Sequence, residues 1–540
     1  MNSPRLGIRG AQWRERAAGA LPHVVIVGGG FSGLAAAFFL RDEPVRVTVL
    51  EGAARIGGKL QVSDIAGIGV DEGAEALLAR RPEGTGLIAA VGLGGQLVTP
   101  GTTSSWLWTR GTLRSLPRRQ FMGVPSDMAD LASSGVLSED GLARAGQDRQ
   151  MPPTRRDGDV SVAAYVGARF GAEVVDRLVD PLLGGVYAGR SQDLSFEATM
   201  PALAGAAANH RSLAEAVASL LPPAPGSVPA PEPPRRAQPP LAGERTRPLQ
   251  SPRAGEPPRP VFTTLAGGLG TLPGAVAAAS GAEIRTAAMV RDLARTPSGW
   301  RLTVGSAAAP ESVDADAVVL SLPARPAARL LSGIPGASTA AAALGGIGYA
   351  SMAIVTLAYP RAAFPSPPGG GGGLAGWSRS GYLVPAVDGR AVKAVTFSTV
   401  KWPHLVVGGE ELDIVRCSIG RIGEERLLQR GDDELAALAA GELAEATGVR
   451  GASADVRVTR WGGALPQYTV GHLERVATAR ACVAGLPGLA LCGAAYDGLG
   501  IPACVGTARE AAGRVAGYLA QGTGSAGTGT AHAGRADARQ

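Results

Sequence analysis

The sequence predicts a fold of α/β plus α+β class: a discontinuous Rossmann-type nucleotide domain with an inserted antiparallel-sheet domain and a mainly helical domain. Three observations predict it. Near the start, a short apolar strand, His23-Val-Val-Ile-Val27, runs into Gly28-Gly29-Gly30-Phe31-Ser32-Gly33 and then a run of small residues. Near the end, Leu489-Ala-Leu-Cys-Gly493 repeats the strand–glycine order and leads to a helix expected over 503–519. Between them lie longer strand-like runs at 350–359, 381–384, 391–400 and 412–419, so other structure must split the nucleotide domain.

The first motif has a physical reading. Gly28 allows the tight turn, Gly30 lets the backbone approach a pyrophosphate, and Gly33 lets helix and strand pack closely. The helix that follows offers free N–H groups and a positive dipole end to phosphates. A second strand, Val45-Arg-Val-Thr-Val-Leu50, ends at Glu51, eighteen residues past Gly33, where an acid can hold ribose hydroxyls. These features together predict a bound dinucleotide.

The remaining elements follow in order. Residues 22–80 form a βαβ unit with a hairpin, and 120–220 are mainly helical, with helical spacing at 160–170 and 173–183. Residues 261–280 enter a helix through Gly267-Gly268-Leu-Gly270. Strands are expected at 283–286, 289–293, 300–304, 317–320 and 456–461, with an amphipathic helix at 432–447. Residues 222–260 hold 14 Pro in 39 residues, too little apolar surface to order themselves. The expected divisions are a disordered lead at 1–20, nucleotide-domain segments at 21–100, 261–335 and 456–520, a helical domain at 101–221, the Pro-rich insertion at 222–260, a substrate domain at 336–455 and a disordered tail at 521–540.

Composition narrows the function. The 540 residues carry a net charge of +6, but the arginines are scattered and no basic block alternates with aromatics, which argues against nucleic-acid binding. The four cysteines form no Cys-x-x-Cys pair, and the five histidines form no metal cluster. A reduced, cytoplasmic setting is expected. Residues 1–20 lack the apolar stretch of a signal peptide. The long uncharged run at 330–360 contains Pro335 and five Gly, and its part at 349–359 reads as a buried strand rather than a membrane span.

Several segments then point one way. Glu51-Gly52-Ala-Ala-Arg55-Ile-Gly57-Gly58-Lys59 resembles the Glu-x-x-x-Arg-x-Gly-Gly signature of the FAD-dependent amine oxidase superfamily. Asp71-Glu-Gly73-Ala74-Glu75-Ala76 resembles the next FAD-contacting turn, and Cys492-Gly493-Ala-Ala-Tyr496-Asp-Gly498-Leu499-Gly500-Ile501-Pro502 the C-terminal flavin motif. Within that superfamily the chain resembles the porphyrinogen oxidases, through Pro181-Leu-Leu-Gly-Gly-Val-Tyr187-Ala-Gly189, Phe397-Ser-Thr-Val-Lys401-Trp402-Pro403-His404, Arg416-Cys-Ser-Ile-Gly420-Arg421 and Arg460-Trp461-Gly-Gly-Ala-Leu-Pro466-Gln467-Tyr468-x-x-Gly471-His472. The matches run from residue 23 to 515.

The resemblance implies non-covalent FAD, with contacts from Gly28, Gly29, Gly30, Phe31, Ser32, Gly33, Glu51, Gly52, Arg55, Gly57, Gly58, Lys59, Gly73, Ala74, Glu75, Ala76, Val290, Trp461, Gly493, Leu499, Gly500 and Ile501. It also implies oxidation of a tetrapyrrole in haem biosynthesis by removal of six electrons in three steps, with dioxygen as acceptor and hydrogen peroxide released. Where eukaryotic relatives acting on protoporphyrinogen IX commonly carry an Arg, this chain has Ala74-Glu75; its Leu77-Leu78-Ala79-Arg80-Arg81 looks more like the bacterial branch, which oxidises coproporphyrinogen III. Protoporphyrinogen IX stays open as the alternative substrate. A different flavoenzyme of the superfamily and an FAD-retaining assembly factor are the more distant readings. The four propionates of coproporphyrinogen need cationic partners. The candidates are Arg80, Arg81, Lys401, Arg416 and Arg421, with Arg81 first because it closely follows an FAD-contacting turn. No catalytic acid–base residue is expected, and His404 and His472 are read as structural hydrogen-bonders. At most peripheral membrane contact is expected, and a transient contact with the next haem-pathway enzyme, a ferrochelatase.

Overall fold

A computed structural model describes residues 21–154, 156–222, 260–366, 373–406 and 412–524. The expected N-terminal lead, nearly all of the Pro-rich insertion and most of the expected tail lie outside the described residues.

The motif strand sits at the centre of a five-stranded parallel sheet, in the order Glu283–Arg285, Arg46–Leu50, His23–Val27, Ala317–Leu320, Leu489–Leu491. Its central strands His23–Val27 and Ala317–Leu320 are near-continuous apolar runs, as a sheet covered on both faces requires. Val24 and Ile26 point into a core made with helices Phe31–Leu40, Leu272–Ser280 and Ile501–Gly524. Val25 and Val27 point the other way, into a core shared with helices Ala324–Ser332, Ser338–Gly345 and His472–Ala484. Five strands drawn from distant parts of the chain thus close one sheet, and the glycine turn emerges at its carboxyl edge.

The second large sheet has seven strands, in the order Asp455–Pro466, Tyr349–Pro360, Leu412–Ile419, Val392–Phe397, Gly381–Leu383, Trp106–Thr109, Thr112–Ser115. All its pairs are antiparallel except Gly381–Leu383 with Trp106–Thr109. One face buries Val395, Phe397, Val415 and Cys417 against the helix Asp432–Thr447. On the opposite face Arg416 reaches to the turn after the hairpin Val62–Ile65/Ile68–Asp71.

Two placements differ from the sequence reading. Residues 106–115 fall within the expected helical domain at 101–221, yet they extend the second sheet, where Trp106 packs edge-on against Trp377. Residues 456–461 read as part of the nucleotide domain, yet Asp455–Pro466 pairs along Tyr349–Pro360. Neither segment carries a local signal for one sheet over the other, and only long-range pairing decides which sheet receives it. A further strand, Pro310–Ala315, lies outside the elements expected from sequence and closes a three-stranded meander with Val290–Thr296 and Gly299–Gly305.

The helical stretch packs around Leu131, Val166, Phe170, Leu178 and Phe196. Asp127, Ser138, Ser161, Ser195 and Ser212 each cap a helix with a side-chain oxygen, so the helix starts are written locally. Among the described residues no helix is long and apolar enough to cross a membrane, and no group of side chains could hold a metal ion.

Candidate active site

The glycine turn is built by close approach. A Cβ on Gly33 would lie 2.0 Å from the Gly28 carbonyl oxygen, and one on Gly28, at φ +106°, 2.3 Å from that of Ser321. Gly30 differs: a Cβ there meets no protein atom within 4 Å, so it borders open space. The helix Phe31–Leu40 begins beside that space with no side-chain cap and no acidic residue in its first turn. Uncapped N–H groups facing an open cradle fit a pyrophosphate.

Glu51 stands at the end of the neighbouring strand. Its carboxylate accepts the Gly29 N–H (2.7 Å) on one oxygen and the Ala53 N–H (2.7 Å) on the other, which fixes it beside the turn. Residues 288–290 run alongside through the Ala288 N–H to the Glu51 carbonyl (2.8 Å), and Gly52 abuts Met289. Val290 itself is buried in the core, so its side chain faces away from solvent. Gly57 donates to the Gly29 carbonyl (2.9 Å), and Arg55 donates to that of Gly58 (2.8 Å) while lying 5.9 Å over Trp461. Burial holds the Lys59 amine below its ordinary pKa.

The turn at residues 71–76 is tied from every side. Asp71 accepts the Leu269 and Gly270 N–H groups (2.9 Å each), joining two of the sequence motifs. Burial pushes the Asp71 carboxyl up to about 6, against those two N–H groups and the charge of Arg416. The Glu72 carbonyl accepts Trp461 Nε1–H (2.9 Å), and its carboxylate accepts from Gln61 and Thr459 (3.0 Å each). Gly73 has no room for a side chain, since a Cβ would lie 2.0 Å from the Lys59 carbonyl oxygen.

Glu75 receives both Lys401 and Arg416 as ion-pair partners, and Arg416 also donates to the Gly73 carbonyl (2.8 Å). Burial alone would raise the Glu75 carboxyl; the two cations outweigh it and bring it down to about 2. A residue read from sequence as a cofactor contact therefore holds two residues read as substrate partners.

The C-terminal motif is propped by Tyr468, whose hydroxyl donates to the Ala494 carbonyl (2.7 Å) and accepts the Gly498 N–H (2.8 Å). Thr507 accepts the Gly493 N–H (3.1 Å). His472 stacks on Tyr468 at 3.8 Å between centroids, and its Nε2 bonds the Tyr496 carbonyl (3.2 Å); burial lowers its pKa to about 4, so it is neutral. Leu499 and Gly500 lead directly into the helix Ile501–Gly524.

The other cationic candidates lie differently. Arg81 is half exposed and paired with Glu83 at 2.9 Å. Arg80 is exposed in the preceding turn. Arg421 is buried, and its guanidinium donates to the Arg390 (2.9 Å) and Val384 (3.1 Å) carbonyls, which makes it a brace for the strand ends. Sequence reasoning assigned no site role to Asp71, Glu72, Tyr468 or Thr507. The first three lie inside the quoted motifs, so the signal was present; the tertiary partners were not.

A family model for flavin-containing amine oxidoreductases matches residues 31–516, and the chain belongs to that family. Its cofactor is FAD, and the cradle just described fits one. Among its relatives are enzymes named coproporphyrinogen III oxidase. That of Mycobacterium tuberculosis (strain ATCC 25618 / H37Rv) is 36% identical over 494 residues, covering 90% of this chain and 95% of the relative. That of Bacillus subtilis (strain 168) is 29% identical over 506 residues, covering 92% and 98%. A crystal structure from Exiguobacterium sp. 255-15, of a protein assigned as a protoporphyrinogen oxidase, superposes with a TM-score of 0.75 at 27% identity, covering 92% of this chain and 98% of that one.

Proposed function

We propose that this chain oxidises coproporphyrinogen III to coproporphyrin III in haem biosynthesis. The overall change is coproporphyrinogen III plus three dioxygen giving coproporphyrin III plus three hydrogen peroxide; six hydrogens leave the macrocycle. Bound FAD supplies the two-electron acceptor used in each of the three rounds. Gly28, Gly29, Gly30 and Gly33 with the first turn of Phe31–Leu40 hold the pyrophosphate, Glu51 and Gly52 the ribose end, and residues 57–59, 73–76, 461 and 493–501 the remainder. The attachment is non-covalent: Cys492 is fully buried and burial pushes its thiol up to about 12, so it offers no thiolate for a flavin bond.

The observation that carries the substrate reading is the Glu75 clamp. Lys401 and Arg416 bring two positive charges to one carboxylate beside the cofactor turn, with Asp71 as the next carboxylate. A substrate propionate there takes an N–H from a cation already oriented by Glu75. The protein's part is to seat the macrocycle, orient it and exclude water, and no acid–base residue is assigned. Arg80 and Arg81 are the outer propionate candidates. The four free cysteines, three of them buried, agree with a reducing cytoplasmic setting. Any contact with a membrane surface is peripheral at most, and one with a ferrochelatase is transient.

Side-by-side turnover of coproporphyrinogen III and protoporphyrinogen IX under air, read by porphyrin fluorescence and peroxide release, tests this. Faster turnover of coproporphyrinogen III, with one peroxide per electron pair, is expected. Preference for protoporphyrinogen IX would replace the substrate assignment, and porphyrin formed without peroxide would replace the acceptor.

A further inference from the structure

Beside the Glu75 clamp lies a cavity of about 20 Å³ that the reading above does not use. Its lining includes Asp71, Thr264, Ser398, Trp402, His404 and Arg416, drawn from four separate chain segments. Four of these residues carry a buried polar atom that no protein group satisfies: Thr264 Oγ1, Ser398 Oγ, Trp402 Nε1 and Arg416 Nε. All four side chains are more than nine-tenths buried. Folded proteins satisfy nearly all such atoms, so four around one cavity describe a ligand requirement.

The chemistry of the lining defines the ligand. Trp402 Nε1–H and Arg416 Nε–H can only donate, the two hydroxyls can donate or accept, and an ionised Asp71 carboxylate can only accept. The ligand must accept at least two hydrogen bonds, from the two N–H donors. A halide could accept from all four orphans, but the Asp71 and Glu75 carboxylates share the lining and repel it. The volume admits one water, whose probe sphere takes roughly 10–15 Å³.

We propose that this cavity is a built site for a single water molecule, which accepts from Arg416 Nε and Trp402 Nε1 and so holds the Arg416 guanidinium in the plane from which it clasps Glu75 and the Gly73 carbonyl. With the water in place every nitrogen of that guanidinium is engaged. Arg416 then acts as a positioning residue for the turn at 73–76, and the hydroxyls of Thr264 and Ser398 act through it. This last step rests on the reading that the turn meets FAD.

Crystals of the holoenzyme at a resolution that shows ordered solvent test the site. One solvent peak within hydrogen-bond distance of Arg416 Nε, Trp402 Nε1 and at least one of the two hydroxyls is expected. An empty cavity, or an anomalous peak there after a bromide soak, overturns it. The positioning role is tested by FAD release. Thr264→Val combined with Ser398→Ala removes both hydroxyls, and the FAD dissociation constant should rise about 2- to 10-fold, the range for lost neutral hydrogen bonds. Thr264→Ser, which keeps the hydroxyl and loses the methyl, should bind FAD like wild type. Ser398→Ala alone serves if the double variant does not fold. Unchanged FAD affinity without the hydroxyls overturns the positioning role. A wild-type protein that binds no FAD overturns the cofactor-turn reading, and the solvent peak is then tested in crystals of the FAD-free protein.

Discussion

Gly30 and Gly33 stand three residues apart and answer to opposite constraints. A side chain at Gly33 collides with backbone that cannot move, whereas one at Gly30, whose φ of −67° any residue adopts, meets only the open cradle. Gly33→Ala is therefore expected to lower thermal stability, and Gly30→Val to give folded but colourless protein. Circular dichroism melts and the flavin absorbance band after gel filtration separate the two, and a normally yellow Gly30→Val variant would remove this turn from the cofactor site. The cationic candidates separate in the same way. Lys401 faces the Glu75 clamp, while Arg81 is half exposed and already bound to Glu83. Exposed pairs contribute little, whereas a buried charge-assisted contact contributes about 1.5–3 kcal/mol. Lys401→Ala is expected to cost roughly 10- to 150-fold in kcat/KM for coproporphyrinogen III with flavin retained, and Arg81→Ala less than about 3-fold. Equal losses in the two variants, measured by steady-state fluorescence, would move the outer arginine into the site.

The strand Val392–Phe397 shows what an element imposes on a single residue. Lys393 enters the sheet interior at an irregularity in the pairing with Leu412–Ile419; it is buried and its amine has no hydrogen-bond partner. Burial, with the nearby Arg421 charge adding and Glu424 opposing, pushes its pKa down to about 7. The unfolded chain therefore binds this proton more tightly between about pH 7 and the ordinary lysine range near 10.4, so wild-type stability rises with pH across that window. Lys393→Met should remove that slope and add about 1–3 kcal/mol at neutral pH, the cost of an unmet buried polar group. Denaturant melts at several pH values check it; a variant that keeps the slope would assign the titration elsewhere.

At the scale of the whole molecule, the chain leaves and re-enters the parallel sheet repeatedly. Its closing strand Leu489–Leu491 pairs with Ala317–Leu320, far away in sequence. Such a scaffold tolerates a long insertion where the flanks are pinned. Here Arg119 binds the Pro222 carbonyl (2.7 Å), and Phe262–Leu265 pairs with Leu77–Leu78 and Leu97–Val98. Replacing residues 223–259 by a short flexible linker is expected to leave flavin content and turnover near wild type. Sharp loss of soluble protein would show that this segment has a docking role.

Much of the nucleotide half was legible because its signals are local. A glycine at a tight turn and an acid one strand later each act within a few residues, and the structure has the strands and the turn where those residues stand. The quoted motifs likewise marked the segments that meet around residues 71–76. The sequence could not tell how they meet. That Trp106–Thr109 joins the second sheet, that Arg421 spends its guanidinium on two carbonyls, and that Glu75 gathers Lys401 and Arg416 all depend on contacts between residues tens to hundreds of positions apart. Charge and residue type are properties of the chain; the partner that neutralises a charge, and the burial that moves its pKa, exist only once the fold has brought those distant groups together.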